Sequence, residues 1–322
     1  MNILVTGGAG YIGSVAVKEL VKQNHSVTVI DNLSKGKIEL VDSKAKFYNI
    51  DLTDKLKVLD VFSKQHFDVI IHFAGYKSVG ESMTNAIKYS DNIVGTINLL
   101  EAMAKFGVKK IIFSSTAAVY GLSEENIINE EAPIHPINYY GVTKVTIEEL
   151  LKWYARVYHI QYVALRYFNV AGDGGLNYID PDAQNIFPII MEVLVGKRSK
   201  LTVFGTDYDT PDGSCIRDYI SVVDLVDAHI KAIKTDFTGV INIGSSTGTS
   251  VLDLIKITES VLGKKVDYVV GSRRPGDPAI LVASNKRAKS VLNWTQKETV
   301  ADMLLSTWNA YIKTINSTKK TV

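Results

Sequence analysis

The stretch NILVTGGAGYIG (2–13) runs from an apolar strand through a glycine-rich turn into a segment of helical period. Gly7, Gly10 and Gly13 are spaced three residues apart. Glycine backbone turns tightly and allows a pyrophosphate to approach closely, while a helix N-terminus presents free N–H groups to phosphates. The stretch therefore predicts a dinucleotide-binding unit. The glycines alone are equally compatible with a tight strand–helix turn that binds no ligand.

The first half of the chain alternates between runs rich in valine and isoleucine and longer segments of helical period. The predicted strands are 2–7, 26–31, 45–50, 68–75, 109–115 and 161–169, and the predicted helices are 11–24, 53–65, 85–107 and 138–158. Strands that read as buried on both faces and are separated by helices indicate a parallel sheet. We expect an α/β fold with a doubly wound parallel sheet of Rossmann type.

The pattern loosens after residue 170, where glycine, aspartate and proline crowd into AGDGGLNYIDPDAQN (171–185). Such a composition predicts a loop and a domain boundary. We expect a dinucleotide-binding domain over 1–171 and a smaller α/β substrate-binding lobe mainly over 172–322. A segment near 217–245 should return to the main sheet, with GVINIGS (239–245) as its strand.

Asp31 ends the second predicted strand, 18 residues after Gly13. A carboxylate there accepts hydrogen bonds from both ribose hydroxyls and repels a 2′-phosphate, which favours NAD over NADP. A turn-forming role for Asp31 is the alternative. Asp51 and Leu52 follow the third strand, where they either flank the adenine or belong to a helix N-cap.

The segment INYYGVTK (137–144) places Tyr140 four residues before Lys144, on one face of a predicted helix, and points Tyr139 elsewhere. A free phenol has a pKa of about 10, and a neighbouring ammonium together with a positively charged nicotinamide favours the phenolate. We therefore expect Tyr140 to act as a base with a lowered pKa. Ser115 and Thr116 should emerge at the carboxyl edge of the sheet, either beside the reacting oxygen or as backbone caps.

Composition excludes several classes of protein. Charged residues make up 22% of the chain and the net charge is +2, which gives no electrostatic reason to expect nucleic acid or a membrane as partner. No secretory signal or apolar run of roughly 20 residues is visible, and the lone Cys215 cannot form an internal disulfide. The single cysteine favours a reducing cytoplasm as the compartment. We expect no metal site, because the six histidines are scattered along the sequence.

Seven motifs, in order along the chain, resemble those of one family. They are TGGAGYIG, HFAGYKSVGES, SSTAAVYG, YYGVTK, RYFNVAG, GSCIRDYISVVDL and RRPGD. Together they resemble the UDP-glucose (UDP-galactose) 4-epimerases of the extended short-chain dehydrogenase/reductases, over essentially the whole chain. The resemblance implies that tightly held NAD oxidises the sugar at C4, that the 4-keto sugar rotates, and that hydride returns to the other face. UDP-galactose and UDP-glucose are then the substrates.

The resemblance also implies roles for individual residues. Tyr140 is the general base, Lys144 tunes it, and Thr116 assists at the C4 oxygen. The implied cofactor contacts, beyond the three glycines, are Tyr11, Ile12, Asp31, Asn32, Ser34, Asp51, Leu52, Phe73, Ala74, Gly75, Lys77, Asn92 and Phe168. The implied substrate contacts are Asn169, Asn185, Phe204, Arg217, Tyr219, Arg274, Asp277 and Leu281. A homodimer formed through helices near 85–106 and 138–159 is implied as well.

Leu281 occupies the implied gate beside the sugar 2-substituent, where an aromatic residue restricts the enzyme to UDP-hexoses and a small residue admits N-acetylated sugars. Leucine is intermediate, so we expect some activity on the N-acetylated pair. A nucleotide-sugar 4,6-dehydratase is the nearest rival, but the positions of its acid and base are Ala117 and Ala118 here, which cannot exchange protons. The other rivals are a decarboxylase, weakened by the same alanines, and a dinucleotide-binding regulator without catalysis.

Overall fold

The computed structural model describes residues 1–123, 125–179, 185–274 and 276–319, with side chains described as far as residue 316. The strands are β1 (Asn2–Thr6), β2 (Ser26–Asp31), β3 (Lys46–Asn49), β4 (Val69–His72), β5 (Lys110–Ser114), β6 (Ile127–Ile128), β7 (Gln161–Tyr167), β8 (Asn169–Ala171), β9 (Leu201–Phe204), β10 (Ile216–Arg217), β11 (Tyr219–Ser221), β12 (Gly239–Ile243), β13 (Thr249–Ser250), β14 (Tyr268–Gly271) and β15 (Ile280–Ala283). The α-helices are α1 (Tyr11–Lys22), α2 (Lys55–Lys64), α3 (Val79–Ser82), α4 (Ala86–Phe106), α5 (Tyr139–Tyr158), α6 (Ile186–Leu194), α7 (Val222–Lys234), α8 (Val251–Leu262), α9 (Lys286–Leu292) and α10 (Val300–Lys319). Short 3₁₀ segments cover Ile38–Leu40 and Ala117–Val119.

The main sheet has seven strands in the order β12-β7-β5-β4-β1-β2-β3, and each of its pairings is parallel. The chain builds β1, β2 and β3 in one direction and then returns to the other side of β1 to add β4. This reversal opens a crevice at the carboxyl ends of β1 and β4, where ligands of open α/β sheets bind. The predicted α/β, doubly wound fold is confirmed.

Helices cover both faces of this sheet. On one face α1, α7 and α9 bury residues such as Leu20 and Leu225, and on the other α2, α4 and α5 bury residues such as Leu99 and Leu151. Each fully buried side chain of this size contributes about 1.5–3 kcal/mol. The two apolar layers therefore hold the strand ends in fixed positions beneath the site.

The start of α5 is set by Asn138, whose side chain accepts a hydrogen bond of 2.8 Å from Gly141 N. An asparagine at this position satisfies one of the free N–H groups of the first turn. The helix consequently begins at Tyr139 and carries Tyr140 in its first turn, next to the carboxyl end of β5.

The remaining strands form smaller sheets. They pair as β13-β10-β15-β6, as β11-β8 and as β14-β9, and a third apolar cluster joins α6, α8 and α10. β12 pairs with β7 in the main sheet, so the chain returns there after building β9 to β11. Part of the predicted loop 171–185, residues 180–184, lies outside the described residues.

Within the part of the chain that the structure describes, no helix combines the length and apolar character needed to cross a membrane.

Candidate active site

The strand ends of the main sheet bring the predicted residues to one edge. Gly7 follows β1, Phe73 follows β4, Ser115 follows β5 and Phe168 follows β7. These strands are neighbours and parallel, so the segments that follow them lie side by side. The edge at the topological switch point is therefore lined by the motif residues.

The glycine turn leaves room for a bulky anion. Gly7 has φ +74°, and a Cβ on it would lie 2.5 Å from Ala74 N, while a Cβ on Gly13 would lie 2.1 Å from Gly7 O. A Cβ on Gly10 would meet only Gly7 O, at 3.3 Å, so this glycine faces open space. The first turn of α1 carries no acidic side chain to compete with a phosphate. The turn therefore fits a pyrophosphate at the helix N-terminus.

The Asp31 carboxylate lies at the mouth of this turn. It accepts hydrogen bonds from Ala9 N at 3.0 Å and from Leu33 N at 2.8 Å. Each oxygen keeps a second lone pair for a ribose hydroxyl. Ser34 is exposed, and its N–H donates to Asn32 Oδ1 at 3.0 Å, which shapes the loop after β2.

Asp51 pairs with the loop after β2 and does not cap a helix. Asn32 Nδ2 donates to its Oδ2 at 2.7 Å, and Thr53 donates to its Oδ1. Burial raises the pKa of Asp51, but hydrogen bonds from Thr53 and Asn32 outweigh it and leave that pKa below the usual value. The N-cap of α2 is Asp54, so the capping alternative for Asp51 is wrong.

The other predicted cofactor residues surround the same edge. Leu52 O accepts a hydrogen bond of 2.8 Å from Asn98, and Phe73 N and Ala74 N both donate to Thr6 O. Tyr11 donates its hydroxyl to Gly172 O and stacks on Tyr178, and Ile12 packs against the apolar cluster of α1. Lys77 is exposed, and Phe168 is buried beside Ala117 and Tyr120.

Asn92 fastens the loop after β4 to α4 and α5. Its amide accepts from Tyr76 N at 2.8 Å and donates to Tyr76 O at 3.0 Å and to Thr143 Oγ1 at 3.4 Å. A Cβ on Gly75 would lie 3.2 Å from Asn92 Oδ1 and 3.7 Å from Lys144 Nζ. The loop after β4, helix α4 and Lys144 therefore come together at Gly75, because this residue has no side chain.

Tyr140 and Lys144 lie together on the buried face of α5, 8% and 5% exposed. Lys144 Nζ donates to Ser114 O at 2.9 Å and lies 5.8 Å from the centre of the Tyr140 ring. Tyr139 points away and shares a hydrogen bond of 2.8 Å with Ser90 on α4. Of the two adjacent tyrosines, Tyr140 is therefore the one that lies next to Lys144.

The protein's own groups raise the pKa of Tyr140, and the lowering expected from Lys144 together with a positively charged nicotinamide stays a prediction. Burial is the largest effect and raises the pKa of Tyr140, and Tyr167 adds to it, while a hydrogen bond with Thr116 acts in the opposite direction. Burial also lowers the pKa of Lys144 to about 8, although Glu148 acts to raise it. Neutral Tyr140 and mostly protonated Lys144 are therefore the resting forms at pH 7.

Thr116 and Ser115 have different partners. Thr116 Oγ1 accepts from Ala118 N at 3.1 Å, and the Thr116 side chain acts to lower the pKa of Tyr140. Ser115 is fully buried and donates to Glu148 Oε1 at 2.6 Å. Only Thr116 of this pair is turned to the tyrosine, so the expectation that both hydroxyls emerge at the edge is wrong for Ser115.

Sequence reasoning missed the residues that support the pair. The Tyr167 hydroxyl shares a hydrogen bond of 2.8 Å with Ser114 Oγ, and the carbonyl of the same Ser114 accepts a hydrogen bond from Lys144. Glu148 accepts two hydrogen bonds from Arg166, at 3.0 and 2.5 Å. The i, i+4 spacing of 140, 144 and 148 was the available signal for Glu148, and the RYFN motif was the signal for Tyr167.

A second group of predicted residues gathers beside the first. Arg217 NH2 lies 2.9 Å from Asp277 Oδ1, and Arg274 lies over the Phe204 ring at 3.9 Å. Among the described residues, no acceptor is in hydrogen-bond geometry with the buried Arg217 NH2. The guanidinium is therefore ion-paired with Asp277, and its planar fork also suits the oxygens of a phosphate.

The other predicted substrate residues are mostly engaged with the protein. Asn169 Nδ2 donates to Asp218 O at 3.0 Å, and Asn185 caps α6 and donates to Val170 O at 2.7 Å. The Tyr219 ring packs edge-on against Phe187 and is 3% exposed, so little of it is open to a ligand. Leu281 is half-buried and pairs with Arg217 in the β10–β15 ladder.

No group of three or more histidine, cysteine, aspartate or glutamate side chains in the described ranges is placed to hold a metal ion.

Comparison with known proteins identifies the family. The model of the NAD dependent epimerase/dehydratase family matches residues 3–244. A UDP-glucose 4-epimerase of Lactobacillus helveticus is 43% identical over 317 residues, covering 96% of each chain. A crystal structure of a UDP-glucose 4-epimerase has a TM-score of 0.94 at 42% identity, with 98% of this chain and 99% of that chain covered. The Bifidobacterium longum UDP-glucose 4-epimerase in complex with NAD+ and UDP has a TM-score of 0.90 at 38% identity, with the same coverage. This chain belongs to the NAD dependent epimerase/dehydratase family.

Proposed function

We propose that the protein interconverts UDP-galactose and UDP-glucose by oxidising the sugar at C4 and reducing the 4-keto sugar from its other face. The observation that carries this is the buried pair of Tyr140 and Lys144, with the half-buried Thr116, at the sheet edge that also carries a glycine turn fitting a pyrophosphate. The UDP-glucose 4-epimerases found by comparison support the substrate pair.

The cofactor of this reaction is NAD, and the glycine turn and Asp31 would hold it at the carboxyl edge of the sheet. Bound there, it supplies a hydride acceptor and donor for C4. Asp31 receives the ribose hydroxyls, and its negative charge disfavours a 2′-phosphate. Phe73, Ala74 and Gly75 line the neighbouring strand end.

Tyr140 takes the proton from the C4 hydroxyl and later returns it. Burial keeps the phenol neutral at rest, so proton transfer depends on positive charge at the site when the reaction begins. Lys144 provides such a charge and is fixed by Ser114 O. Thr116 assists at the C4 oxygen, and its side chain acts to lower the pKa of Tyr140.

The nucleotide is held by residues remote from C4. Arg217 and Arg274 bind the diphosphate, Asp277 accepts from the ribose, and Asn169, Asn185, Phe204 and Tyr219 complete the uridine and diphosphate site. The buried Arg217 NH2 next to Asp277 supports this assignment. Because the protein binds the diphosphate, the sugar itself is held loosely enough to rotate between the two hydride transfers.

Elimination of water across C5 and C6 is disfavoured at this site. The short 3₁₀ segment after Thr116 consists of Ala117, Ala118 and Val119, none of which can give or take a proton. A regulator without catalysis has no need for a buried lysine next to a buried tyrosine, which is costly to the fold. Epimerisation uses all three polar groups.

The testing experiment incubates the purified protein with UDP-galactose and no added cofactor. We expect UDP-glucose to appear, because NAD stays bound and is regenerated in each turnover. A 4-keto-6-deoxy sugar as product would establish dehydration instead, and the absence of any product in the presence of added NAD would refute catalysis.

A homodimer formed through α4 and α5 is part of the proposal. These helices pack together and present Ile87 and Val94 on one and Val142, Trp153 and Val157 on the other, with Ile87 87% exposed. An apolar face of this kind favours burial against a second copy. Sedimentation should show a dimer, and Trp153→Glu should shift it to a monomer. A monomeric wild-type protein would refute the assignment.

Three further assignments complete the proposal. Residues 1–171, with the returning segment near 217–245, bind NAD, and residues 172–322 mainly bind the UDP-sugar. The cytoplasm is the compartment, in keeping with one buried free thiol at Cys215. Leu281 allows some turnover of the N-acetylated UDP-sugar pair, and no turnover at saturating concentration would refute this.

A further inference from the structure

Asp218 lies between the phosphate-binding candidate Arg217 and Tyr219 and is fully buried. Its Oδ1 accepts a hydrogen bond from Ser245 N at 2.7 Å, and its Oδ2 accepts from Ala283 N at 2.9 Å and from Ser246 N at 3.3 Å. One carboxylate thus joins β10, the loop after β12 and the end of β15. Burial raises the pKa of Asp218, while these N–H groups lower it.

The backbone of Asp218 engages two more of the candidate substrate residues. Its N–H donates to Leu281 O at 3.2 Å, and its carbonyl accepts from both Asn169 N at 3.1 Å and Asn169 Nδ2 at 3.0 Å. Arg217 precedes it directly in the chain. Three candidate contacts from separate segments are therefore attached to one residue.

The space around the carboxylate is closed. A Cβ on Gly244 would lie 2.5 Å from Asp218 Oδ2 and 2.7 Å from Ala283 Cβ. The main-sheet strand β12 ends immediately before this glycine. The glycine therefore permits the end of the main sheet to approach the carboxylate closely enough for Ser245 to donate to it.

We propose that Asp218 is a positioning residue for the nucleotide site, which sets Arg217, Leu281 and Asn169 against the end of the main sheet. The inference rests on the proposed function, because it concerns the residues that hold UDP. A carboxylate suits this position since it only accepts hydrogen bonds, whereas asparagine would turn an NH2 group toward a backbone N–H.

The test compares Asp218→Asn with Asp224→Asn. Asp224 is also buried and accepts backbone hydrogen bonds from Lys297 N at 3.0 Å and Glu298 N at 2.8 Å, and burial likewise raises its pKa. It contacts none of the candidate substrate residues through those bonds. The measurements are the dissociation constant of UDP by calorimetry, the bound NAD content and the thermal midpoint.

We expect both variants to lose thermal stability and to keep NAD, and only Asp218→Asn to bind UDP weaker by about tenfold, the value of one charge-assisted contact. Its KM for UDP-galactose should rise while kcat changes little. Equal UDP affinity in Asp218→Asn and the wild type would overturn the proposal, as would equal weakening in Asp224→Asn. Failure of the wild type to bind UDP would instead refute the proposed function.

Gly244→Ala provides a second variant, because its methyl group displaces the carboxylate without removing it. We expect the same loss of UDP affinity with NAD retained. If neither Asp218→Asn nor Gly244→Ala folds with NAD bound, Asp218 serves the stability of the fold and the proposal is overturned.

Discussion

The two ends of the site are built differently. Tyr140 and Lys144 lie on a 20-residue helix packed against a seven-stranded sheet, and both are nearly inaccessible. Arg217 lies on a two-residue strand, its side chain pairs with an Asp277 side chain that is 29% exposed, and Arg274 is exposed. The reacting pair is nearly inaccessible and lies on a long helix, whereas the anchoring residues range from buried Tyr219 to exposed Arg274 and lie on short pairings.

This difference indicates a division of labour. Groups that exchange protons act most strongly where water is excluded and their positions are fixed. Groups that capture a charged nucleotide must be reachable from solvent. Changes at the chemical end should therefore lower kcat, and changes at the anchoring end should raise KM.

The largest effect should follow from Tyr140→Phe, which removes the proton acceptor and keeps the ring. We expect kcat to fall by about 10²–10⁴, the usual contribution of a general base. NAD content and UDP affinity should stay unchanged by calorimetry. The control is Tyr139→Phe, which loses only the bond to Ser90 and should keep its activity. Full turnover in Tyr140→Phe would contradict the assignment of Tyr140 as the general base.

Lys144→Met should lower kcat by about tenfold to a hundredfold, since a buried positive charge next to the phenol is lost. The control is Lys152→Met on the same helix, where the lysine is exposed and pairs with Glu149. Kinetics across pH should show Lys152→Met matching the wild type. Equal losses in the two variants would contradict the assignment of a local charge.

The same variant tests the electrostatics of burial. The Lys144 pKa of about 8 lies below its ordinary value of 10.5, so between these values the unfolded chain binds more protons than the folded one. The free energy of unfolding should therefore rise with pH across that window. Lys144→Met should be more stable near pH 7 and should lack this rise, as measured by urea unfolding. An unchanged pH slope would contradict the buried, protonated lysine.

Arg274→Ala should raise the KM for UDP-galactose by about tenfold, because a charge-assisted contact to a phosphate is removed. The kcat at saturation should change little. Arg273→Ala is the matched control, since this neighbour pairs with Asp207 and stacks on Tyr208. A fall in kcat with constant KM would place Arg274 at the chemical end.

The smallest effect concerns Leu281. Leu281→Tyr should reduce turnover of UDP-N-acetylgalactosamine relative to UDP-galactose by about tenfold, the scale of discrimination that pocket size alone provides. Competition between the two sugars measures this ratio. A constant ratio would place the sugar 2-substituent away from β15.

The two regions also differ in how far sequence could predict them. The long strands and helices of the main sheet show in their apolar periodicity, and β2 was predicted with its observed bounds. Several strands outside the main sheet, β8, β10, β11 and β13, contain only two or three residues. They form by pairing with distant segments, so no local sequence pattern predicts them.

Within the site, sequence reasoning identified residues better than their environments. It related Tyr140 to Lys144 by helical spacing, but it missed the burial that raises the tyrosine pKa, since burial depends on tertiary packing. Ser115 and Thr116 are adjacent and chemically alike, and only the tertiary partner Glu148 distinguishes them.

The most direct test of the central claim uses UDP-galactose carrying deuterium at C4. If hydride leaves C4 and returns to the same carbon while Tyr140 carries only the proton, the UDP-glucose produced will keep its deuterium at C4, and none will pass to water. Loss of the label to solvent, or product formed with hydrogen at C4, would contradict the account.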